Sequence, residues 1–363
     1  MTTIPSPTTA ATESPIDETT TADSAESTWL SATDEFEIVE DLEDSDLASK
    51  KPDNFEDLST TIVVGRLDKD PAGVRWLHDE LKDITTKAIY IVDDVNAPLH
   101  LDRNKGREAM VYLKYIVEHY DKLSDVTIFF HSSRMAWHNN VLMNKDGAIM
   151  VNNLQRRHVV ETGYFNMRCE LYPGCPRWIK WNPTREENAV YPERTADLFS
   201  LKLWDQIFPN RTHDPVYLAQ PCCSQFALSR DKIREVPLAQ YERLRDWLFE
   251  TDISDGYAGR IMEYVWHYLW LDKDEHCPPI PECYCKGYGL CLEPEKAKKV
   301  VHYSDLRQQM DEGMARIGDW DREHCKQIPE GPEKRKCKEG NPNTPDFRKV
   351  QKEKGQLLSL IHI

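Results

Sequence analysis

Thr60-Thr61-Ile62-Val63-Val64-Gly65-Arg66 is a β-branched run that stops at a glycine and a charge. Its centre has no alternating polar positions, so it reads as a strand buried on both faces. Two similar runs follow. Ala88-Ile89-Tyr90-Ile91-Val92 stops at Asp93-Asp94, and Val126-Thr127-Ile128-Phe129-Phe130 stops at His131-Ser132-Ser133. Between them the apolar residues change to helical spacing, through Val74, Leu77, Leu81 and Ile84, then through Ala109, Tyr112, Leu113, Ile116 and Val117. Strand, helix, strand, helix, strand with apolar strands predicts an α/β domain. Its central sheet is expected to be mostly parallel or mixed, with helices on both faces.

Further along, Tyr164 to Leu171 and Ser224 to Ser229 read as strands, and Thr195 to Phe208 as a helix. Residues 173–192, with Trp178 and Trp181, read as a loop. Leu238 to Glu250 and Ala258 to Trp270 are amphipathic helices by their spacing, and Glu295 to Arg316 is a further helix. The division expected is an acidic tail (1–58), the α/β domain (59–292), a helical extension (293–324) and a poorly ordered polar terminus (325–363).

The charge sits at one end. Residues 1–57 hold 16 Asp or Glu against Lys50 and Lys51, a net of −14 out of −16 for the chain. The remainder is close to neutral, which argues against bulk nucleic-acid binding, since that needs a basic face. The tail has too little apolar surface to offset its ordering entropy and is expected to be disordered. It reads either as an arm for a protein partner or as a solubilising extension. No run approaches the roughly 18 apolar residues of a membrane span. Met1 to Ala25 has neither a basic nor an apolar segment of a secretory signal, so the expected location is cytoplasmic or nuclear, with mostly reduced thiols. Ten cysteines are many for such a place. Cys277, Cys283, Cys285 and Cys291 cluster without zinc-ribbon spacing and read as two local disulfides or one zinc knot.

Ligands of an open parallel sheet lie beyond the carboxyl ends of its strands. That rule singles out Gly65 and Arg66, Asp93 and Asp94, and His131, Ser132 and Arg134. Gly65 would let a ligand approach the backbone and Arg66 would neutralise a phosphate, while the two aspartates would bind sugar hydroxyls or a divalent metal. Arg107 and Glu108 open a helix whose first-turn amides would suit a diphosphate. In His131 to Asn140, Trp137 would stack on a sugar or base and His138 would act as acid or base. Glu263 and His267, four apart on a helix, share a face and read as a catalytic pair or as a structural hydrogen bond.

These residues carry a resemblance. Ile62-Val63-Val64-Gly65-Arg66, Asp93-Asp94 with Asn96-Ala97-Pro98-Leu99-His100, and Asn104-Lys105-Gly106-Arg107-Glu108-Ala109 resemble a largely fungal family, domain-of-unknown-function family 3431. So do His131 with Trp137-His138-Asn139, Cys222-Cys223-Ser224-Gln225-Phe226-Ala227, Glu263-Tyr264-Val265-Trp266-His267, and Cys283-Tyr284-Cys285. More distantly, the helix start at Arg107-Glu108, the Gln225 strand and the Glu263 helix look like those of GT-A-type glycosyltransferases. That likeness implies a nucleotide-sugar held at the strand ends by Asp93 and Asp94, with Glu263 or His267 facing the acceptor. The Asp-x-Asp metal motif of such enzymes is missing, because the strand Val126 to Phe130 ends in His131-Ser132-Ser133. Glycosyl transfer is therefore one expectation. A non-catalytic binding module on the same fold, and a hydrolase built on His131, His138 and Glu263, are the others.

Overall fold

A computed structural model describes residues 58–175, 179–180, 201–215 and 217–361. The acidic tail, the loop tryptophans Trp178 and Trp181, and the start of the helix expected from Thr195 lie outside the described residues. In chain order the elements are β1 (Thr60–Arg66), α1 (Arg75–Asp79), β2 (Thr86–Ile91), α2 (Glu108–His119), β3 (Val126–Phe129), α3 (Gly147–Asn153), α4 (Arg156–Thr162), β4 (Tyr164–Asn166), β5 (Ile179–Lys180), α5 (Leu201–Ile207), β6 (Tyr217–Leu218), β7 (Phe226–Ser229), α6 (Arg230–Glu235), α7 (Leu238–Glu250), α8 (Asp255–Leu271), α9 (Ile280–Tyr288), α10 (Pro294–His324), α11 (Pro332–Glu339) and α12 (Thr344–Ile361).

The main sheet has the order β2-β1-β3-β7-β4, and β5 pairs with β6 apart from it. β1 runs parallel to β2 and β3, with Val63 opposite both Ala88 and Phe129. β7 enters antiparallel between β3 and β4. The sheet is thus mixed, with helices on both faces. The carboxyl ends of β1, β2, β3 and β4 and the amino end of β7 share one edge. Alternate strand residues feed two cores: Val63, Tyr90 and Phe129 pack with α2, α7 and α8, and Ile62, Val64 and Ile128 pack with α3, α9 and α10. Burial on both faces is why these strands carry no alternating polar positions.

Several elements differ from their sequence reading. The helix expected from Val74 to Ile84 is a 3-10 turn, Ala72–Val74, followed by the short α1. Glu80 closes it, and Asp83, past the end, takes a positive φ of 54°. The strand expected to reach Leu171 stops at Asn166 because the Asn140 side chain captures the next backbone groups. Its amide donates to the Met167 carbonyl at 2.9 Å and accepts from Cys169 N–H at 2.8 Å. Residues beyond Cys325, expected to lack order, form α11 and α12. A Cys325–Cys337 disulfide, a buried Asn341 bonded to Ile317 and Asp321, and Phe347 seated against Gly313 hold them to α10.

All ten cysteines are paired, so the reduced thiols expected from the N-terminus are not found. Of the four clustered cysteines only Cys285 and Cys291 pair with each other. Cys283 reaches Cys169, and Cys277 reaches Cys175, which fastens the segment after β4 to α9 and its approach. Cys222 and Cys223 pair with each other. At the same junction, a Cβ on Gly287 of α9 would fall 2.0 Å from the buried Phe165 ring. Gly287→Ala is expected to cost about 1–3 kcal/mol through overpacking. A urea midpoint equal to the wild-type value would show that the ring can yield.

Candidate functional site at the carboxyl edge of the sheet

At the β1–β2 end, the polar residues singled out by topology serve the protein itself. Gly65 admits α2: a Cβ there would meet Val111 at 2.9 Å and Val92 at 3.3 Å. The Arg66 guanidinium donates to the carbonyls of Leu67 (2.8 Å) and Asp68 (3.1 Å). Asp93 accepts the Asp68 N–H at 2.7 Å, and Asp94 accepts the Asn96 N–H at 2.9 Å. These are turn-closing contacts. The start of α2 is also occupied. The Asp255 carboxylate, from the first turn of α8, accepts Gly106 N–H at 2.6 Å and Arg107 N–H at 3.4 Å. Lys105 is buried, donating to the carbonyls of Thr251 and Ile253. The anion expected at this helix start is an internal one.

The β3–β7 half is different. His131 follows β3, and its Nε2 lies 4.0 Å from the carboxylate of Glu108 on α2. The His138 ring stands edge-on to that of His131, 4.6 Å between centroids. Both Nε2 atoms are shielded from solvent, and neither has a hydrogen-bond partner among the described residues. Burial pushes the His131 pKa down, with the Arg107 charge assisting and the Glu108 carboxylate opposing. Burial, then the positive fields of His131, Arg168 and Arg307, hold His138 down at about 2. Both rings are neutral near pH 7, and their lowered pKa values make them poor proton acceptors there, so what each offers is a hydrogen bond from a neutral imidazole.

Buried amides fix this pair. Gln225, one residue before β7, accepts the His131 N–H at 3.5 Å and donates to the Asn139 Oδ1 at 3.0 Å. Asn139 in turn donates to the carbonyls of Arg134 and Lys145. Arg134 is bound to Glu80 and Asp146, and the Ser132 carbonyl accepts from Trp76, so these two support the loop. Trp137 projects from the loop, 55 % exposed.

The third contribution comes from the turn before β7. Cys223 (φ 88°) and Ser224 (φ 50°) are in the left-handed region, which non-glycine residues enter only where the surroundings impose it. The Cys222–Cys223 ring and a Trp266 indole N–H bonded to the Ser224 hydroxyl at 3.2 Å impose it here. The turn aims the Cys223 N–H at the Glu263 carboxylate of α8, 2.6 Å away. The ligand-type atoms of Cys222, Cys223 and Glu263 lie within 4.8 Å of one another. With the two sulfurs joined, that group offers a cation one carboxylate and does not fit a metal centre. His267 is not part of the site. It is fully buried and directs Nε2 at the Asp274 carbonyl, 3.0 Å away, while Glu263 turns toward Cys223.

Glu108, His131, His138, Gln225 and Glu263 are thus brought to one region of the edge, with Arg107 near enough for its charge to act on His131. Asp93, Asp94, Arg66 and His267 are committed elsewhere. Sequence reasoning missed Asp255, Arg168 and Arg307, and gave Asn139 no role of its own. Only the adjacency of Cys222 and Cys223 signalled the rigid turn. Asp255 has the composition of an ordinary first-turn acid.

No helix among the described residues is long and apolar enough to cross a membrane. No curated protein and no solved structure matches the chain. A family model described as a protein of unknown function, DUF3431, matches residues 62–286, from β1 through most of α9. The chain belongs to the DUF3431 family of proteins of unknown function.

Proposed function

We propose that the domain binds a nucleotide-sugar at the carboxyl edge of its sheet and transfers the glycosyl group. The observation that carries this reading is the convergence of Glu108, His131, His138 and Glu263, with two shielded imidazole nitrogens lacking hydrogen-bond partners among the described residues. In the step proposed, the Glu263 carboxylate takes the proton of an acceptor hydroxyl and that oxygen bonds to the anomeric carbon. The bond from that carbon to the diphosphate breaks, and the diphosphate leaves with the electron pair. His131, neutral and oriented by Gln225 and Glu108, holds the acceptor hydroxyl.

Glu263→Gln keeps an oxygen for the Cys223 N–H and removes the charge. It is expected to lower transfer about 100-fold or more while leaving the melting temperature nearly unchanged. Release of nucleoside diphosphate from a panel of nucleotide-sugars, with manganese and with chelator, is the assay. Turnover undiminished in Glu263→Gln would remove that residue from the chemistry. A second reading, a binding module without turnover, is favoured by the internal use of Asp93, Asp94, Arg66 and the α2 amides. Ligand-induced thermal shifts without diphosphate release would select it.

The ten paired cysteines favour an oxidising compartment over the cytosol or nucleus, where thiols are kept reduced.

A further inference from the structure

Between the candidate site and the C-terminal extension two arginines flank one tryptophan. The Arg168 guanidinium lies 5.5 Å from the centroid of the Trp137 ring and that of Arg307 lies 5.4 Å from it. The two arginines grip successive carbonyls of the loop: Arg307 Nη2 donates to Trp137 O at 3.2 Å, and Arg168 Nη1 donates to His138 O. Arg168 is fully buried, with its remaining bonds to the carbonyls of Glu170 and Tyr172. Neither arginine has a carboxylate within ion-pair distance among the described residues. The charges of Glu170 and Asp311 act on Arg168, and Glu170 is turned to Tyr284 and Val141. Burial and then the Arg307 charge lower the Arg168 pKa to about 10, and both arginines depress His138.

Arg307 is only half-buried. Among the described residues one of its five N–H donors is engaged, and the planar group is held against an indole face. A guanidinium fixed in this way beside an exposed aromatic ring suits an oxyanion attached to a flat ring system.

We propose that Arg307, backed by the buried charge of Arg168, is the subsite for the diphosphate of a nucleoside diphosphate ligand, with the exposed Trp137 ring beside it for the base. This subsite takes the place of the α2 start that Asp255 fills, and the identity of the ligand rests on the nucleotide-sugar reading. Arg307 is on α10, outside the segment 62–286 that defines the family, so the extension completes the site. Arg168 keeps the loop in place and supplies field, while Arg307 makes the contact.

The test is calorimetric titration of the full chain with inorganic pyrophosphate, a nucleoside diphosphate and a nucleotide-sugar. Arg307→Ala is expected to weaken pyrophosphate about tenfold or more, the loss of a charge-assisted bidentate contact. Arg307→Lys should fall between, and Trp137→Ala should weaken the nucleoside diphosphate while sparing pyrophosphate. Should Arg307→Ala lower the melting temperature, Arg307→Lys carries the comparison. Pyrophosphate binding that is absent in the wild type, or equal in wild type and both Arg307 variants, overturns the subsite. A nucleotide-sugar bound equally well by wild type and Arg307→Ala overturns the subsite and leaves the transferase reading standing. Pyrophosphate bound through Arg307 with no affinity for nucleotides or nucleotide-sugars keeps the anion site and removes the donor.

Discussion

Acidification from pH 6.5 to pH 4 is expected to take away most of the stability of the domain. Burial holds His138 down at about 2 and His267 and His276 at about 4, and lowers His131 as well. In the unfolded chain these imidazoles take up protons near pH 6.5. Between their folded and unfolded pKa values the unfolded state therefore binds more protons, and stability falls as pH falls. This contribution is fully present above pH 6.5 and is lost progressively, down to about pH 4 for His267 and His276 and further, to about pH 2, for His138. Each group that stays neutral in the fold adds a slope of about 1.4 kcal/mol per pH unit. Partial exposure of His138 and His276 trims the sum. Even so, the loss is on the order of several kcal/mol, against a total of about 5–15 kcal/mol for a domain. Urea midpoints followed by tryptophan fluorescence from pH 8 to pH 4 should fall steeply below pH 6.5. His267→Gln, which keeps a donor for the Asp274 carbonyl, should flatten the slope by about one proton. Midpoints constant across that range would mean that these rings charge without unfolding the chain.

Legibility in the sequence followed the physics of each element. β1, β2 and β3 were legible because burial on both faces leaves an unbroken apolar run, and α7 and α8 because one apolar stripe recurs at helical spacing. β4 was overestimated because a side chain, Asn140, substitutes for a neighbouring strand, which no local pattern records. α12 was missed because its order comes from packing on α10 and not from its own polar composition. At the candidate site, topology gathered the polar strand ends on one edge but could not say which of them the fold itself engages. Asp93, Asp94 and Arg66 look like ligand groups until their turn-closing bonds are seen. Glu263 and His267 share a helix face by spacing. α8, however, is buried over most of its circumference, so one turn along the face changes the neighbour from Cys223 to the 274 carbonyl. Asp255 and Arg168 act across the fold on residues far away in the chain, and their roles are set by those partners.

Removing the disulfides that join the segment after β4 to α9 should have the largest effect of any cysteine substitution, and the effect should not be additive. Cys169–Cys283 and Cys175–Cys277 span 114 and 102 residues. While one stands, breaking the other opens only the small ring between them, about a dozen residues, worth about 3 kcal/mol in the chain-entropy account. Breaking the second then releases a loop of roughly a hundred residues, worth nearly 5 kcal/mol more. Cys169→Ala with Cys283→Ala is thus expected to lower the melting temperature moderately. Replacing all four cysteines should leave a chain close to unfolded, since the combined loss approaches the stability of a typical domain. Cys285→Ala with Cys291→Ala, a short loop within the same region, should cost less than either long-range set. Calorimetric melting of the three variants, with free-thiol titration confirming that the wild type has none, makes the comparison. A four-cysteine variant that melts within a few degrees of wild type would show that packing of Phe165, Tyr284 and Tyr288 holds the junction without the bridges. In that case the disulfide framework would lose its force as an argument for an oxidising compartment. The opposite result would tie the position of Arg168, one residue from Cys169, to the same two bridges. The subsite behind Trp137 would then weaken in parallel with stability, a correlation that pyrophosphate titration of the Cys169→Ala, Cys283→Ala protein can read directly.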